Sequence, residues 1–122
     1  MPEIHAARRA RAQQLIRDSG ADAALITARP NVRYLTGLAS SNAALLLPAE
    51  GGDAILATDS RYAGAARRDA PDLGLLEERF IEEKLATEAS RRGIRRLAFE
   101  AHEMTVERHG ELVAREIGRA HV

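Results

Sequence analysis

Short apolar segments bounded by turn-forming residues are the feature that most constrains how this chain can fold. Asp22 to Thr27, Ala43 to Leu47 and Asp53 to Thr58 have the length of buried strands and are too short for core helices. Ala49 to Gly52 has the composition of a hairpin loop between the last two. These two strands are therefore expected to pair antiparallel.

Helical patterns precede and follow this group of strands. From about Glu3 to Ser19, apolar residues recur at spacings of three and four, and Gly20 supplies a stop. Pro30 and Asn31 predict a turn after the first strand. Ser60 is predicted to be the N-cap of a helix that runs to about Arg68.

The second half of the chain continues the alternation. Leu73 to Glu77 and Arg96 to Phe99 are predicted strands, separated by a helix with an apolar stripe over 80–89. Thr105 is predicted to cap a last helix that carries Leu112 and Val113. Such alternation predicts one α/β domain, with a mixed β-sheet flanked by helices.

The composition excludes several classes of protein. The 122 residues include 18 basic and 18 acidic residues, so no net charge attracts nucleic acid or an anionic membrane. No apolar stretch approaches the roughly 20 residues of a membrane span. Cysteine is absent, which rules out disulfides and thiolate metal sites. We therefore expect a cytoplasmic protein without nucleic-acid or membrane partners.

The segment from Asn31 to Gly37 has two interpretations. In the local one, Asn31 caps a turn of helix, Val32 and Leu35 point inward, and Tyr34 buries its ring. Gly37 would then end the turn with a positive φ angle. In the functional one, polar residues here and in the Ser40–Asn42 loop face a substrate cleft.

The segment from Thr58 to Tyr62 is also open to two interpretations. Asp59 is placed to accept backbone donors at the start of a helix, Arg61 to pair with a carboxylate, and Tyr62 to join helix and sheet. The alternative is a subunit interface. The same two interpretations apply to Glu100 and His102.

Catalytic chemistry has little support in the sequence. The four histidines are never three or four residues apart, so no helical metal site is predicted in this chain. Asp22, Asp53, Asp59 and Glu100 would have to converge to form a nuclease site with two metal ions. Capping and turn formation are the simpler roles for these carboxylates.

Four segments together resemble a known family. They are Asn31–Gly37, Ser41–Leu46, Thr58–Tyr62 and Phe99–His102. In order and spacing they are similar to the N-terminal domain of Xaa-Pro peptidases of the creatinase/prolidase family. The resemblance covers nearly everything from Arg8 to Leu112, and it implies a ribonuclease-H-like mixed sheet in a non-catalytic domain.

The family resemblance also implies what the rest of the protein does. The full protein would continue into a pita-bread metallopeptidase domain, in which a pair of divalent ions, manganese or cobalt, activates water. Its cofactor ligands match no position here, so this chain alone is expected to be inactive. The implied partners are that C-terminal catalytic domain, further copies of the chain as a homo-oligomer, and proline-containing peptides.

In this family the N-terminal domain supports oligomerisation and borders the active site. The candidates for a substrate rim or an interface are therefore Asn31, Arg33, Tyr34, Ser41, Asn42, Asp59, Arg61, Tyr62 and His102. Creatine-specific members carry aromatic and basic contacts after the equivalent of Gly37. Because Leu38 to Leu46 has neither, peptides are expected as substrates. The alternative is a stand-alone module that binds a peptide or protein.

The last seven residues, Glu116 to Val122, resemble the translation of a common sequencing-adapter oligonucleotide. Such artefactual tails are set aside from fold reasoning. The expected domain is therefore residues 1–115, and the catalytic domain of the native protein is expected to be missing from this sequence.

Overall fold

The computed structural model describes residues 2–51 and 53–100, together with the backbone of residues 112–116. Within these residues the chain alternates helices and strands, as the sequence predicts. The elements are α1 (Pro2–Asp18), β1 (Ala23–Ile26), α2 (Arg29–Thr36), β2 (Ala43–Pro48), β3 (Ile55–Thr58), α3 (Ala63–Asp69), β4 (Gly74–Glu77), α4 (Ile81–Arg91), β5 (Arg96–Glu100) and β6 (Leu112–Glu116).

The strands form one mixed sheet in the order β4-β3-β2-β1-β5-β6. The predicted hairpin is confirmed: β2 and β3 are antiparallel, with Ala43 opposite Thr58. Strand β2 also pairs antiparallel with β1, whereas β5 is parallel to β1 and β4 is parallel to β3. The predicted fold class, a mixed sheet flanked by helices, is therefore confirmed.

Both faces of the central strands are covered, which explains their continuous apolar sequences. Successive side chains of a strand point to opposite faces. In β1, Ala24 and Ile26 pack in one core cluster, while Ala23 and Leu25 pack in the other. Strand β2 divides in the same way.

The helices supply the two outer layers. On one face, Ile16 of α1 and Leu35 of α2 are completely buried, and Ala66 of α3 joins the same cluster. On the other face, α4 contributes Leu85 and Ala89, both fully buried. Burying a leucine side chain of this kind contributes about 1.5–3 kcal/mol, so each helix is held mainly by its apolar stripe.

The predicted turn at Pro30 and Asn31 is instead the start of the eight-residue helix α2. The prediction that Asn31 caps it is wrong, because the N-cap is Ala28, which makes no side-chain capping bond. Pro30 occupies the first turn, where its missing N–H costs nothing. Gly37 ends the helix in the left-handed conformation, at φ +84°, as predicted.

Helix α3 begins at Ala63, so the prediction that Ser60 is its N-cap is also wrong. A turn precedes the helix, and in it the N–H of Tyr62 donates to the carbonyl oxygen of Asp59 at 3.1 Å. The Asp59 side chain accepts the N–H of Arg61 at 2.9 Å. These bonds hold residues 59–62 in the turn, and the first helical residue therefore comes after it.

The predicted last helix is wrong at Leu112 and Val113, because both belong to β6. This strand pairs antiparallel with β5, where Val113 lies opposite Phe99 and Glu116 opposite Arg96. The exposed backbone of β5 offers hydrogen bonds that outweigh the local helical pattern. The predicted cap Thr105 lies outside the described residues, as do residues 117–122 of the predicted tail.

None of the helices in the described ranges is long and apolar enough to cross a membrane.

Two glycines give a matched test of this backbone. Gly37 has φ +84°, and an added Cβ would lie 2.8 Å from Nε2 of His5. Gly64 lies in α3, and an added Cβ there meets nothing within 4 Å. We expect Gly37→Ala to lower the free energy of unfolding by about 1–2 kcal/mol and Gly64→Ala to raise it by about 0.5 kcal/mol. Urea denaturation of both variants measures this, and equal effects would contradict the assignment of Gly37.

Candidate functional site

The structure divides the predicted site residues into two groups. Ser41, Asn42, Asp59, Arg61 and Tyr62 lie together where the loop before β2 meets the turn after β3, and we call them the loop cluster. Asn31, Arg33 and Tyr34 belong to α2. His102 lies outside the described residues.

Asp59 is the centre of the loop cluster. Its Oδ2 accepts hydrogen bonds from Nδ2 of Asn42 and from the guanidinium of Arg61, both at 2.8 Å. Its Oδ1 accepts the backbone N–H and the Nε–H of Arg61 at 2.9 and 3.1 Å. The Arg61 side chain therefore donates to both carboxylate oxygens, which confirms the predicted pairing of Arg61 with a carboxylate.

These contacts determine the charge state of the cluster. The hydrogen bonds from Arg61 and Asn42 hold the pKa of Asp59 well below its usual range, and Asp59 in turn raises the pKa of Arg61. A carboxylate that stays ionised and accepts four hydrogen bonds is a poor general base. Asp59 is therefore a structural anchor.

Tyr62 and Ser41 close the other side of the loop cluster. Their hydroxyl groups lie 2.8 Å apart, and this hydrogen bond lowers the pKa of Tyr62. The hydroxyl of Thr58 donates to the carbonyl oxygen of Asn42 at 2.6 Å. The residues after β3 are thus fastened to the loop before β2.

The loop cluster borders an open depression of about 530 Å³. Its other walls come from the end of β4 and the residues after it, with the acidic Glu77 and Glu78 and the basic Arg79. Asn42, Asp59 and Arg61 line the depression on the near side. The mixed charges of its walls show no preference for one sign of ligand.

The three candidates on α2 differ in exposure. Asn31 is 1% exposed, and its Nδ2 donates to Oε2 of Glu100 at 3.1 Å. Tyr34 is half-buried beside the α1 helix, and Arg33 is exposed. Val32 and Leu35 are buried, as the local interpretation of this segment predicted. Arg33 and Tyr34 are therefore able to contact another molecule, whereas Asn31 is buried and bonds Glu100 within the domain.

Glu100, at the end of β5, holds the backbone that leads into α2. Its carboxylate accepts the N–H of Thr27 at 3.0 Å and the N–H of Ala28 at 2.7 Å. The hydroxyl of Thr27 adds a third donor at 3.3 Å. With Asn31, these contacts join the ends of two parallel strands to the first turn of α2.

Asp22 has the corresponding role at the opposite end of β1. Its Oδ2 accepts the N–H groups of Arg95 and Arg96 at 2.9 and 3.0 Å, which lowers the pKa of Asp22. Asp22 and Glu100 thus lie at opposite ends of β1, and capping and turn formation describe these carboxylates. Across the described residues, no three His, Asp or Glu side chains gather to hold a metal ion.

Arg9 is a buried charge that sequence reasoning missed. It is 7% exposed, donates to the carbonyl oxygen of Leu35 at 2.8 Å and forms an ion pair with Asp72. The helical spacing from Arg9 to Ala12 and Ile16 places it on the buried face of α1. That spacing was the available signal, but an arginine is ordinarily expected on the surface.

Replacement of Glu100 by glutamine tests its role as a clamp. Glu100→Gln removes the charge and turns an N–H₂ group toward the donors of Thr27 and Ala28. We expect a loss of about 1–3 kcal/mol in the free energy of unfolding, measured by urea denaturation. Glu50→Gln, at an exposed bend, is the matched control. Equal stability of the two variants would show that Glu100 does not clamp α2.

The lowered pKa of Asp59 predicts a pH-dependent contribution to stability. It is fully present above the unfolded pKa of about 3.9 and is lost as the pH falls toward the lower folded value. We therefore expect Asp59→Asn to unfold at a lower temperature than the wild type at pH 7, and this difference to shrink below about pH 4. Thermal unfolding from pH 2 to pH 7 measures it, with exposed Asp53→Asn as control. A difference independent of pH would contradict the prediction.

Comparisons with known proteins agree with this geometry. The sequence profile of the creatinase/prolidase N-terminal domain matches residues 8–117. The N-terminal domain of cytoplasmic peptidase PepQ from Mycobacterium tuberculosis H37Rv is 46% identical, with a TM-score of 0.77, and the match covers 83% of this chain and 78% of that one. A search of curated protein sequences found no match.

Two further solved structures are similar to this chain. A creatinase/prolidase-like N-terminal domain from Corynebacterium diphtheriae is 28% identical, with a TM-score of 0.72, over 84% of this chain and 81% of that one. The X-Pro aminopeptidase from Thermotoga maritima MSB8 is also 28% identical, with a TM-score of 0.68. The match covers 81% of this chain but only 28% of that enzyme.

The family match over residues 8–117 and the mixed sheet with its covering helices lead to the same assignment. The chain belongs to the creatinase/prolidase N-terminal domain family.

Proposed function

We propose that this chain is the non-catalytic N-terminal domain of a metal-dependent peptidase that cleaves beside proline, either an Xaa-Pro aminopeptidase or a dipeptidase. The observation that carries the proposal is the family match over residues 8–117 in a chain that spans 28% of an X-Pro aminopeptidase. The catalytic domain then follows in the same polypeptide. The divalent metal pair, manganese or cobalt, belongs to that domain.

The hydrogen bonds within the domain favour a structural, non-catalytic role. Asp59 accepts four hydrogen bonds from Arg61 and Asn42, and Glu100 is occupied by donors around α2. Carboxylates used in this way stabilise loops and are withdrawn from proton transfer. In this proposal Asp59 and Glu100 act on catalysis only indirectly, because they hold the turn before α3 and the start of α2 in place.

The domain's contribution to the active site is proposed to come from its exposed candidates. Arg33 and Tyr34 on α2, and Ser41 and Arg61 in the loop cluster, are accessible to a substrate or to another subunit. Leu38 to Leu46 lacks aromatic and basic side chains, which favours peptides over creatine as substrates. The M. tuberculosis relative is the N-terminal domain of a cytoplasmic peptidase. We propose the same location for this protein, together with assembly into oligomers.

A hydrolysis assay tests the division of labour. The 122-residue chain, incubated with Mn²⁺ or Co²⁺, is expected to release no proline from Gly-Pro and no alanine from Ala-Pro-Ala. The protein encoded by the complete reading frame of the source gene is expected to cleave at least one of these peptides with the same ions.

Two outcomes would overturn the proposal. Cleavage by the 122-residue chain alone would place catalytic groups in this domain. A reading frame that stops directly after this domain would instead favour the stand-alone binding module. Chelation with EDTA is the control, because it abolishes hydrolysis that depends on the metal pair.

A further inference from the structure

Basic side chains gather around one tyrosine where α1 crosses α2. His5, Arg8 and Arg11 lie on α1, and Arg33 lies on α2, next to Tyr34. His5, Arg8, Arg33 and Tyr34 line an open depression of about 510 Å³, completed by Pro30 and Gly37. We call this depression the basic pocket. No acidic side chain is among the described residues that line it.

The positive charge of the basic pocket is not neutralised by an ion pair. Among the described residues, the side chains of Arg8 and Arg11 donate to Tyr34, and the Arg33 side chain has no hydrogen-bond or ion-pair partner. The adjacent Arg9, by contrast, is buried and paired with Asp72. The arginines of the basic pocket therefore keep donors available for an outside ligand.

Tyr34 holds two of these arginines in position before any ligand arrives. Its carbonyl oxygen accepts from Arg8 at 3.1 Å and from Nδ1 of His5 at 3.2 Å. The Arg8 guanidinium lies 4.2 Å from the centre of the Tyr34 ring, and Arg11 donates to the phenol oxygen at 3.2 Å. Side chains held in this way lose less conformational freedom when they bind a ligand.

The arginine side chains of the basic pocket favour carboxylates. An arginine fork fits both oxygens of a carboxylate, and an Arg8 that donates one N–H to Tyr34 still has four. The whole chain carries 18 basic and 18 acidic residues, so it has no net positive charge to attract a long phosphodiester backbone. A short acidic segment is the better match.

We propose that the basic pocket is a docking site for a partner polypeptide that presents clustered Asp or Glu side chains. Arg33 forms the main ion pair, and Arg8, held by Tyr34, forms the second. The inference concerns a surface of this chain itself. It is independent of the proposed peptidase activity, and its test measures binding without hydrolysis.

The test is an NMR titration of the ¹⁵N-labelled 122-residue chain with the peptide acetyl-Glu-Glu-Asp-Glu-Glu-amide at low ionic strength. We expect the amide signals of Arg33, Tyr34 and Gly37 to shift, and Arg33→Gln to weaken binding about tenfold. Added salt should weaken it further, because the pocket is open to solvent. Arg33→Gln should unfold at the wild-type urea concentration.

Arg95→Gln is the matched control, since it removes the same charge from an exposed site at the start of β5. It is expected to change the affinity less than twofold. Equal weakening by Arg33→Gln and Arg95→Gln would show only a general charge effect and overturn the proposal. Tighter binding of a 12-nucleotide single-stranded DNA at the same amides would also overturn it, in favour of a nucleic-acid partner.

Discussion

The hydrogen bonds of Glu100 determine how α2 is presented by this domain. Its carboxylate takes the N–H of Ala28 at 2.7 Å, the N–H of Thr27 at 3.0 Å and the amide of Asn31 at 3.1 Å. A charged acceptor makes each of these bonds stronger than a neutral pair. One residue at the end of β5 thereby positions the helix that carries Arg33 and Tyr34.

The same use of carboxylates recurs around the sheet. Asp22 holds the start of β5, Asp59 holds the turn before α3, and Asp72 neutralises the buried Arg9. Among the described side chains, no buried nitrogen or oxygen lacks a hydrogen-bond partner. Because an unpaired buried donor costs about 1–3 kcal/mol, this pairing is a condition for the two apolar cores to form.

The polar residues between positions 31 and 62 therefore have two kinds of role. The loop cluster around Asp59 uses its own charges to join the segments that flank β2 and β3. The basic pocket beside Tyr34 leaves its charges open to solvent. The first supports the scaffold, and the second is the surface proposed to bind an acidic partner.

The sequence by itself determined the five strands β1 to β5, their hairpin and the helices α1 and α4, because these follow from local apolar patterns and turn residues. It also identified Asp59, Arg61 and Tyr62 as a local unit, since they are neighbours in the chain. Only the tertiary structure decided the start of α3, the length of α2, the strand at Leu112 and Val113, and the burial of Arg9. The contacts that decide α2 and Arg9 join residues more than 60 positions apart, Asn31 with Glu100 and Arg9 with Asp72, and local spacing contains no information about such pairs.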